Sequence, residues 1–165
     1  MKRLSIAAFI SFVALIALLV PAKAEAANTG GRGEMTLGVM GGYATYHSGG
    51  FMNVYFQYTL APHVRIAPDL GYAFRSEGKS AFLLDVDMHF PFRIARGIQV
   101  YPLAGFTFNS WDYKYDGSAN RAGANIGGGF DFYLTSYLKL TLQAKYSIMN
   151  DTDGGFFGMG IGYTF

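Results

Sequence analysis

Charged side chains occupy alternate positions in several stretches of this 165-residue sequence. Asp85 and Asp87 are separated by one residue, and Lys139 and Lys145 share one parity of a later stretch. Groups at alternate positions lie on one face of a β-strand, where opposite charges can pair or line a path for ions. The polar residues on such positions are Arg65, Asp69, Asp85, Asp87, His89, Asp131, Lys139, Gln143 and Lys145. Two roles follow for them: an ion-pair network that fills an interior, or a polar relay or narrow ion path.

Alternation of apolar and polar residues predicts that these charges lie on β-strands. Eight segments of roughly ten residues show it, and this length lets a tilted strand cross a bilayer. Pro68 and Pro102 weaken the third and fifth segments because proline cannot donate to a ladder, but the alternation continues on both sides. The outward apolar sets begin at Met35, Met52, Ile66, Phe82, Val100, Ile126, Leu138 and Phe157. We therefore predict an all-β, membrane-spanning, up-and-down antiparallel β-barrel of about eight strands.

Energetics decide which face of each strand meets lipid. A lysine at mid-membrane depth costs about 2–4 kcal/mol, so the apolar parity faces outward and the charged parity faces the lumen. If the third and fourth strands turn around Glu77, Asp69 lies nearly opposite Asp85. This arrangement is repulsive unless a cation lies between the carboxylates, and Arg65 and Lys145 are the two candidates.

The interior of so small a barrel has room only for side chains that fit together. Asp131 and Lys139 are near cross-strand neighbours around one tight turn. On the last strand, Gly158, Gly160 and Gly162 alternate with large apolar residues, and these glycines make space for long lumen residues from other strands. A general porin is disfavoured, since open channels need about 16 strands.

The first 26 residues resemble a secretory signal peptide. A basic start, an apolar core and small residues at positions −3 and −1 predict export and cleavage after Ala24 or Ala26. Removing residues 1–26 takes three of the 13 basic and one of the 11 acidic residues, which leaves ten of each and no electrostatic support for a nucleic-acid partner. Residues 27–33 are predicted to be a flexible lead-in, and residues 34–165 the barrel. The chain has no cysteine, hence no disulfide or thiolate chemistry.

The connections contain the remaining candidates for function. Residues 61–63 and 135–137 are predicted tight periplasmic turns, and residues 91–98 a longer one. On the outer side, residues 109–120 alternate aromatic and charged residues, so Trp111, Tyr113 and Tyr115 are candidate contacts for a protein or glycan. A cluster of Ser48, His47, Asp151 and Asp153 at the outer rim is geometrically possible for a lipid A-modifying enzyme. We expect no enzyme, because His47 and Ser48 lie in a glycine-rich turn and do not match the deacylase pattern.

Aromatic residues cluster near both predicted membrane interfaces, which amphipathic rings prefer. A soluble sandwich or lipocalin-like barrel would instead turn its apolar parity inward. The periplasmic set is Tyr58, Phe90, Phe92, Tyr133, Tyr137, Tyr163 and Phe165, and the outer set is Tyr43, Tyr46, Phe51, Phe74, Phe108, Trp111, Tyr146 and Phe156.

With its signal, alternating strands, aromatic belts and final Tyr163-Thr164-Phe165, the chain resembles the small outer-membrane β-barrel superfamily, which includes the transmembrane domain of outer membrane protein A. The resemblance covers residues 34–165 and implies that Phe165 belongs to the signal read by the barrel-assembly machinery. It also implies an outer-membrane location among lipid and lipopolysaccharide. We expect a monomer with no cofactor and no metal site, in a structural or surface-exposed role with at most a narrow pore. Adhesion through the outer loops is the alternative.

Overall fold

The computed structural model describes residues 31–113, 117–150 and 153–165. The predicted signal peptide, residues 1–26, lies outside the described residues, as do Tyr115 and Asp151. Nine strands account for nearly all of the regular structure that is described: β1 (Met35–Ala44), β2 (Gly49–Ala61), β3 (Val64–Ser76), β4 (Lys79–His89), β5 (Phe92–Ala95), β6 (Ile98–Tyr113), β7 (Gly117–Tyr133), β8 (Leu138–Met149) and β9 (Gly154–Thr164). A short 3₁₀ turn, Thr45–His47, follows β1.

The strands form one closed antiparallel barrel. Consecutive strands pair with each other, except that β4 and β5 both pair with β6, and the first and last strands close the sheet. At this seam Val39 lies opposite Ile161, and the backbones of Met35 and Phe165 exchange two hydrogen bonds. Strands β4 and β5 both pair with β6, so together they occupy one strand position, or stave, of the wall. The barrel therefore has eight staves. The predicted eight-stranded barrel is confirmed.

The connection predicted over residues 91–98 proves to be mostly strand. Phe92–Ala95 forms β5, and only Arg96 and Gly97 remain as the turn. Gly97 has a φ of +74°, which glycine adopts without the steric cost that a Cβ would bring. Pro91 separates β4 from β5, since it has no N–H to offer a ladder. Within β3 and β6, Pro68 and Pro102 lie opposite Val86 and Gly128, so both prolines are accommodated in strands.

Apolar side chains cover the outside of the barrel wall. Phe106 on β6 and Met159 on β9 are 76% and 60% exposed, whereas the polar residues of the opposite parity are almost fully buried. A hydrocarbon solvent suits the first set, and mutual pairing suits the second. This distribution is the reverse of that in a soluble barrel. None of the described residues forms a helix that is long and apolar enough to cross a membrane.

Glycines on β1 and β9 create space for one large lumen residue. A Cβ added to Gly38 would lie 2.4 Å from Tyr55 Cζ, and one added to Gly162 would lie 2.7 Å from Tyr55 Oη. A Cβ on Gly160 would approach Tyr55 and Met40 at 3.0 and 3.1 Å. The alternation of glycine with large residues on β9 therefore has two purposes: bulk toward lipid, and room for Tyr55 in the lumen.

An apolar plug fills the outer end of the lumen, and its rings include residues predicted for the outer aromatic belt. Phe51, Trp111 and Phe156 are at most 5% exposed and pack inside the barrel. The Tyr46 ring lies 4.8 Å from Trp111 and 4.9 Å from Phe156 between ring centroids. The assignment of these four rings to the outer aromatic belt is wrong. It was based on how near each residue lies to a strand end, whereas its position in the two-residue repeat determines whether the side chain faces lipid or the lumen. The plug consists of Ala44, Phe51, Ala73, Ala81, Leu83, Trp111 and Phe156, with Tyr46 and Tyr113 packed against it.

Candidate functional site: the ionic network of the lumen

Two groups of charged side chains fill the lumen below the plug. The outer cluster consists of Lys145 on β8, Asp69 on β3, and Asp85 and Asp87 on β4. The inner cluster consists of Arg65, Asp131, Lys139 and Glu34. In the closed strand order β3 and β8 lie four staves apart on opposite walls, so their side chains can meet only across the lumen.

Lys145 holds the outer cluster together. The β3–β4 register puts Asp69 directly opposite Asp85. Lys145 Nζ lies between the two carboxylates, donating to Asp69 at 3.4 Å and to Asp85 in a short contact. A third bond, of 3.2 Å, reaches Asp87. The sequence analysis named Arg65 and Lys145 as candidates for the cation between Asp69 and Asp85, and in the structure this cation is Lys145.

Amide side chains extend the outer cluster. Asn53 Nδ2 donates to Asp69 at 2.9 Å, and Asn125 Nδ2 donates to Asp87 at the same distance. Ser147 Oγ in turn donates to Asn125 Oδ1 at 2.6 Å. These bonds fix the carboxylates in position, and all of these residues are buried.

Arg65 and Lys139 organise the inner cluster around one carboxylate. Arg65 Nη1 donates to Asp131 at 2.6 Å, and Lys139 Nζ lies 3.8 Å from the same group. Thr141 Oγ1 donates to the other oxygen of Asp131 at 2.7 Å. Lys139 also donates to Gln57 Oε1 at 2.7 Å. Two cations thus share Asp131, so the inner cluster needs a second acid.

Glu34 supplies that acid. Its Oε1 lies 3.7 Å from Lys139 Nζ and accepts a 2.7 Å hydrogen bond from the Tyr133 hydroxyl. Sequence reasoning missed Glu34 as a lumen residue, and placed Tyr133 in the periplasmic belt, where it does not lie. Glu34 shares the parity of Thr36, and Tyr133 that of Asp131, so extending each strand pattern by one residue would have found both.

Aromatic rings hold the inner cluster against the wall. His89 Nδ1 lies 3.1 Å from Arg65 Nη2, and because arginine can only donate, this nitrogen accepts. The His89 ring stacks on Tyr101 with centroids 4.4 Å apart and 10° between the planes. Arg65 Cζ lies 4.8 Å from the Tyr101 centroid, and the Tyr101 hydroxyl donates to Gln143. All nine polar residues proposed for the lumen therefore lie in it, within these two clusters or against them.

Of the rim residues considered for catalysis, His47 and Asp153 form no hydrogen bond or ion pair with each other. The His47 ring is buried in the plug, 5.0 Å from Tyr46 and 6.1 Å from Trp111 between centroids. Burial lowers the pKa of the His47 imidazole. Asp153 Oδ1 accepts from the Met149 backbone N–H at 2.7 Å, and Asp151 lies outside the described residues.

The three candidate contact residues of the outer loop differ in their positions. Trp111 is 1% exposed within the plug, so its ring is not available to a partner, which corrects the sequence-based hypothesis for this residue. Tyr113 is half-buried beside it, with ring centroids 6.4 Å apart, and Tyr115 lies outside the described residues. At the other end Phe165 is half-buried and its ring stacks on Tyr163.

Ionic pairing and apolar packing together occlude the lumen. The charged groups are bonded to one another across the barrel, and breaking one buried pair costs about 3–5 kcal/mol. Above them lies a plug of aromatic rings that offers nothing to replace the hydration shell of an ion. The arrangement can bind protons or cations at its carboxylates.

Several solved β-barrels share this fold. The N-terminal β-barrel domain of Pseudomonas aeruginosa OprF has a TM-score of 0.72 at 19% identity, covering 82% of this chain and 99% of that one. Neisserial surface protein A has a TM-score of 0.65 at 13% identity, covering 80% and 96%. The attachment invasion locus protein Ail of Yersinia pestis has a TM-score of 0.57 at 17% identity, covering 81% and 99%.

A search of curated proteins finds no match to this sequence. The model of a protein family, the outer membrane protein beta-barrel domain, matches residues 10–165, which include every strand of the barrel. With a closed eight-stave wall, an apolar exterior and a polar, charge-paired lumen, the chain belongs to the outer membrane protein beta-barrel domain family.

Proposed function

We propose that this protein is a structural, surface-exposed barrel of the outer membrane whose lumen is closed to hydrated ions at rest. One observation carries the proposal: Lys145 reaches across the barrel and bonds three carboxylates from the opposite wall. A side chain tied to both walls blocks the lumen, and a conducting state would require it to exchange partners. Any pore is therefore narrow and depends on that exchange.

Planar-bilayer recording tests this proposal. We expect the folded wild-type barrel to show no steady current, or only brief small openings. Asp85→Asn removes the charge of the closest Lys145 partner and should raise the frequency of openings. Asp112→Asn makes the same chemical change in an exposed pair with Arg75 and should leave the record unchanged. A large steady wild-type conductance, on a preparation whose folding is shown by heat-dependent gel mobility, would contradict the closed lumen.

The surroundings of the barrel follow from the same proposal. Its wall faces outer-membrane lipid and lipopolysaccharide, the barrel-assembly machinery inserts it, and the protein acts as a monomer without nucleic acid. We expect no enzymatic activity, because His47 faces aromatic rings instead of an acid.

Adhesion is the second candidate function. The similar Ail is named as an attachment and invasion protein, and one of its structures contains the heparin analogue sucrose octasulfate. In this chain the outer end carries Arg75, Lys79 and Arg121, beside the predicted contact loop. Replacing residues 113–120 by a short turn and measuring binding to heparin beads or host cells tests the idea. Unchanged binding would exclude the loop as the adhesive surface.

A further inference from the structure

The outer cluster has an unbalanced charge. Among the described residues, Lys145 alone faces Asp69, Asp85 and Asp87, which leaves a formal charge of −2. All four side chains are at most 7% exposed. The inner cluster differs, since two cations there face two acids. Buried charge persists only when it is compensated, so the imbalance calls for two more positive charges at the outer cluster.

Hydrogen bonding at the outer cluster leaves two buried acceptor oxygen atoms without a partner among the described residues. Each of the three N–H groups of Lys145 has a carboxylate partner. Asp85 Oδ1 and Asn53 Oδ1 are buried and lack a hydrogen-bond partner in the part of the chain that the structure describes. The orientation of the Asn53 amide is fixed, because its Nδ2 donates to Asp69, which as a carboxylate only accepts. Both remaining atoms can therefore bind only a positive group or a donor.

A small cavity adjoins Asp69 and Asn53. Its volume is about 10 Å³, close to what one water molecule or one ion occupies. Gln57, Gln143 and Tyr55 contribute further oxygen-bearing side chains to its lining. Carboxylate, amide and hydroxyl oxygens are the ligands that hard cations prefer. The oxygen atoms of Asp69, Asp85 and Asp87 lie within 4.8 Å of one another, and the Lys145 ammonium already occupies the space that they share, so an ion must bind beside it.

We propose that the lumen binds one divalent hard cation, such as Ca²⁺, beside the outer cluster, with Asp69 and Asn53 as its main ligands. A charge of +2 brings the cluster to zero. The cation lies between walls that Lys145 already bridges, so it locks the lumen further. This site goes beyond the closed lumen proposed above and does not depend on it, because an ion can bind whether or not the barrel conducts.

Metal content and stability together test the site. The protein is folded into detergent micelles with CaCl₂ or with EDTA, freed of unbound ions by gel filtration, and analysed for calcium by plasma mass spectrometry. We expect one calcium ion per wild-type barrel and a higher urea midpoint than in the EDTA preparation. Asp69→Asn and Asn53→Leu should lose both the ion and the increase in midpoint. Asn109→Leu changes a buried lumen asparagine that bonds Met149 instead, and should retain both.

Two outcomes would overturn the site. One is a folded wild-type barrel that holds no calcium and has the same midpoint in CaCl₂ and EDTA, which would leave protons to balance the charge of the cluster. The other is calcium that persists in both Asp69→Asn and Asn53→Leu, which would place the ion elsewhere. Either result leaves the closed lumen standing, since the bilayer record tests that property separately.

Discussion

Replacing Lys145 by methionine removes the cation of the outer cluster while keeping the length of the side chain. Lys145 makes three charge-assisted hydrogen bonds. At about 1.5–3 kcal/mol each, these three bonds together contribute at most about 5–9 kcal/mol to the free energy of unfolding. The carboxylates left behind can take up protons, which reduces the loss. We therefore expect Lys145→Met to lower the free energy of unfolding by about 3–5 kcal/mol, the usual cost of breaking a buried pair.

Reversible urea unfolding in detergent or lipid, with EDTA present so that no metal replaces the ammonium, measures this loss. Arg75→Met is the matched control, because Arg75 and Asp112 form a 3.0 Å pair whose side chains are 44% and 53% exposed. Exposed pairs contribute about 0–1 kcal/mol, so this control should change little. If Lys145→Met costs no more than Arg75→Met, the three carboxylates are not held as anions by the lysine, and the reasoning about the lumen fails.

Three further predictions concern other parts of the barrel. Gly162→Val places a Cβ 2.7 Å from Tyr55 Oη and should destabilise the barrel by about 1–3 kcal/mol in urea unfolding, as overpacked cores do; an unchanged midpoint would show that Tyr55 can move aside. Burial lowers the pKa of His47, so the plug should be fully stable above about pH 6.5 and lose stability as the pH falls. Fluorescence from Trp111, the single tryptophan, should then shift to the red in wild type but not in His47→Phe. Deletion of Phe165 should reduce the amount of assembled barrel in the outer membrane while leaving folding in detergent intact; equal amounts in cells would remove its role in assembly.

Strand periodicity made the fold predictable from the sequence. The two-residue repeat from Leu138 to Ile148 fixes both the strand and its faces, because a one-residue slip would send Lys145 into lipid. One short strand was not predicted. The strand Phe92–Ala95 was hidden by Pro91 and by a turn of just two residues, which composition alone reads as a longer loop.

The members of the lumen network were predictable, but their partners were only partly so. Register around the β3–β4 turn gives the opposition of Asp69 and Asp85 from local sequence. The choice of Lys145 over Arg65 as their cation depends on which staves face each other across the closed barrel, a relation that no local pattern contains. The placement of Trp111 in the aromatic belt was wrong for a related reason. Its position in the two-residue repeat directs its side chain into the lumen, but it lies next to a loop and was therefore assigned to the interface.

The ion pairs of the outer cluster also constrain how the barrel can form. Lys145 lies 76, 60 and 58 residues after its three partners, so it can meet them only once β8 has joined the sheet and the barrel has closed. Until the seam between β1 and β9 closes, an open sheet in the bilayer leaves these charges unpaired, and intermediates of this kind are strongly disfavoured. Closure of the barrel and pairing of these charges therefore occur in the same step. The barrel should therefore insert in an all-or-none manner, with contacts of long sequence separation setting a slow rate.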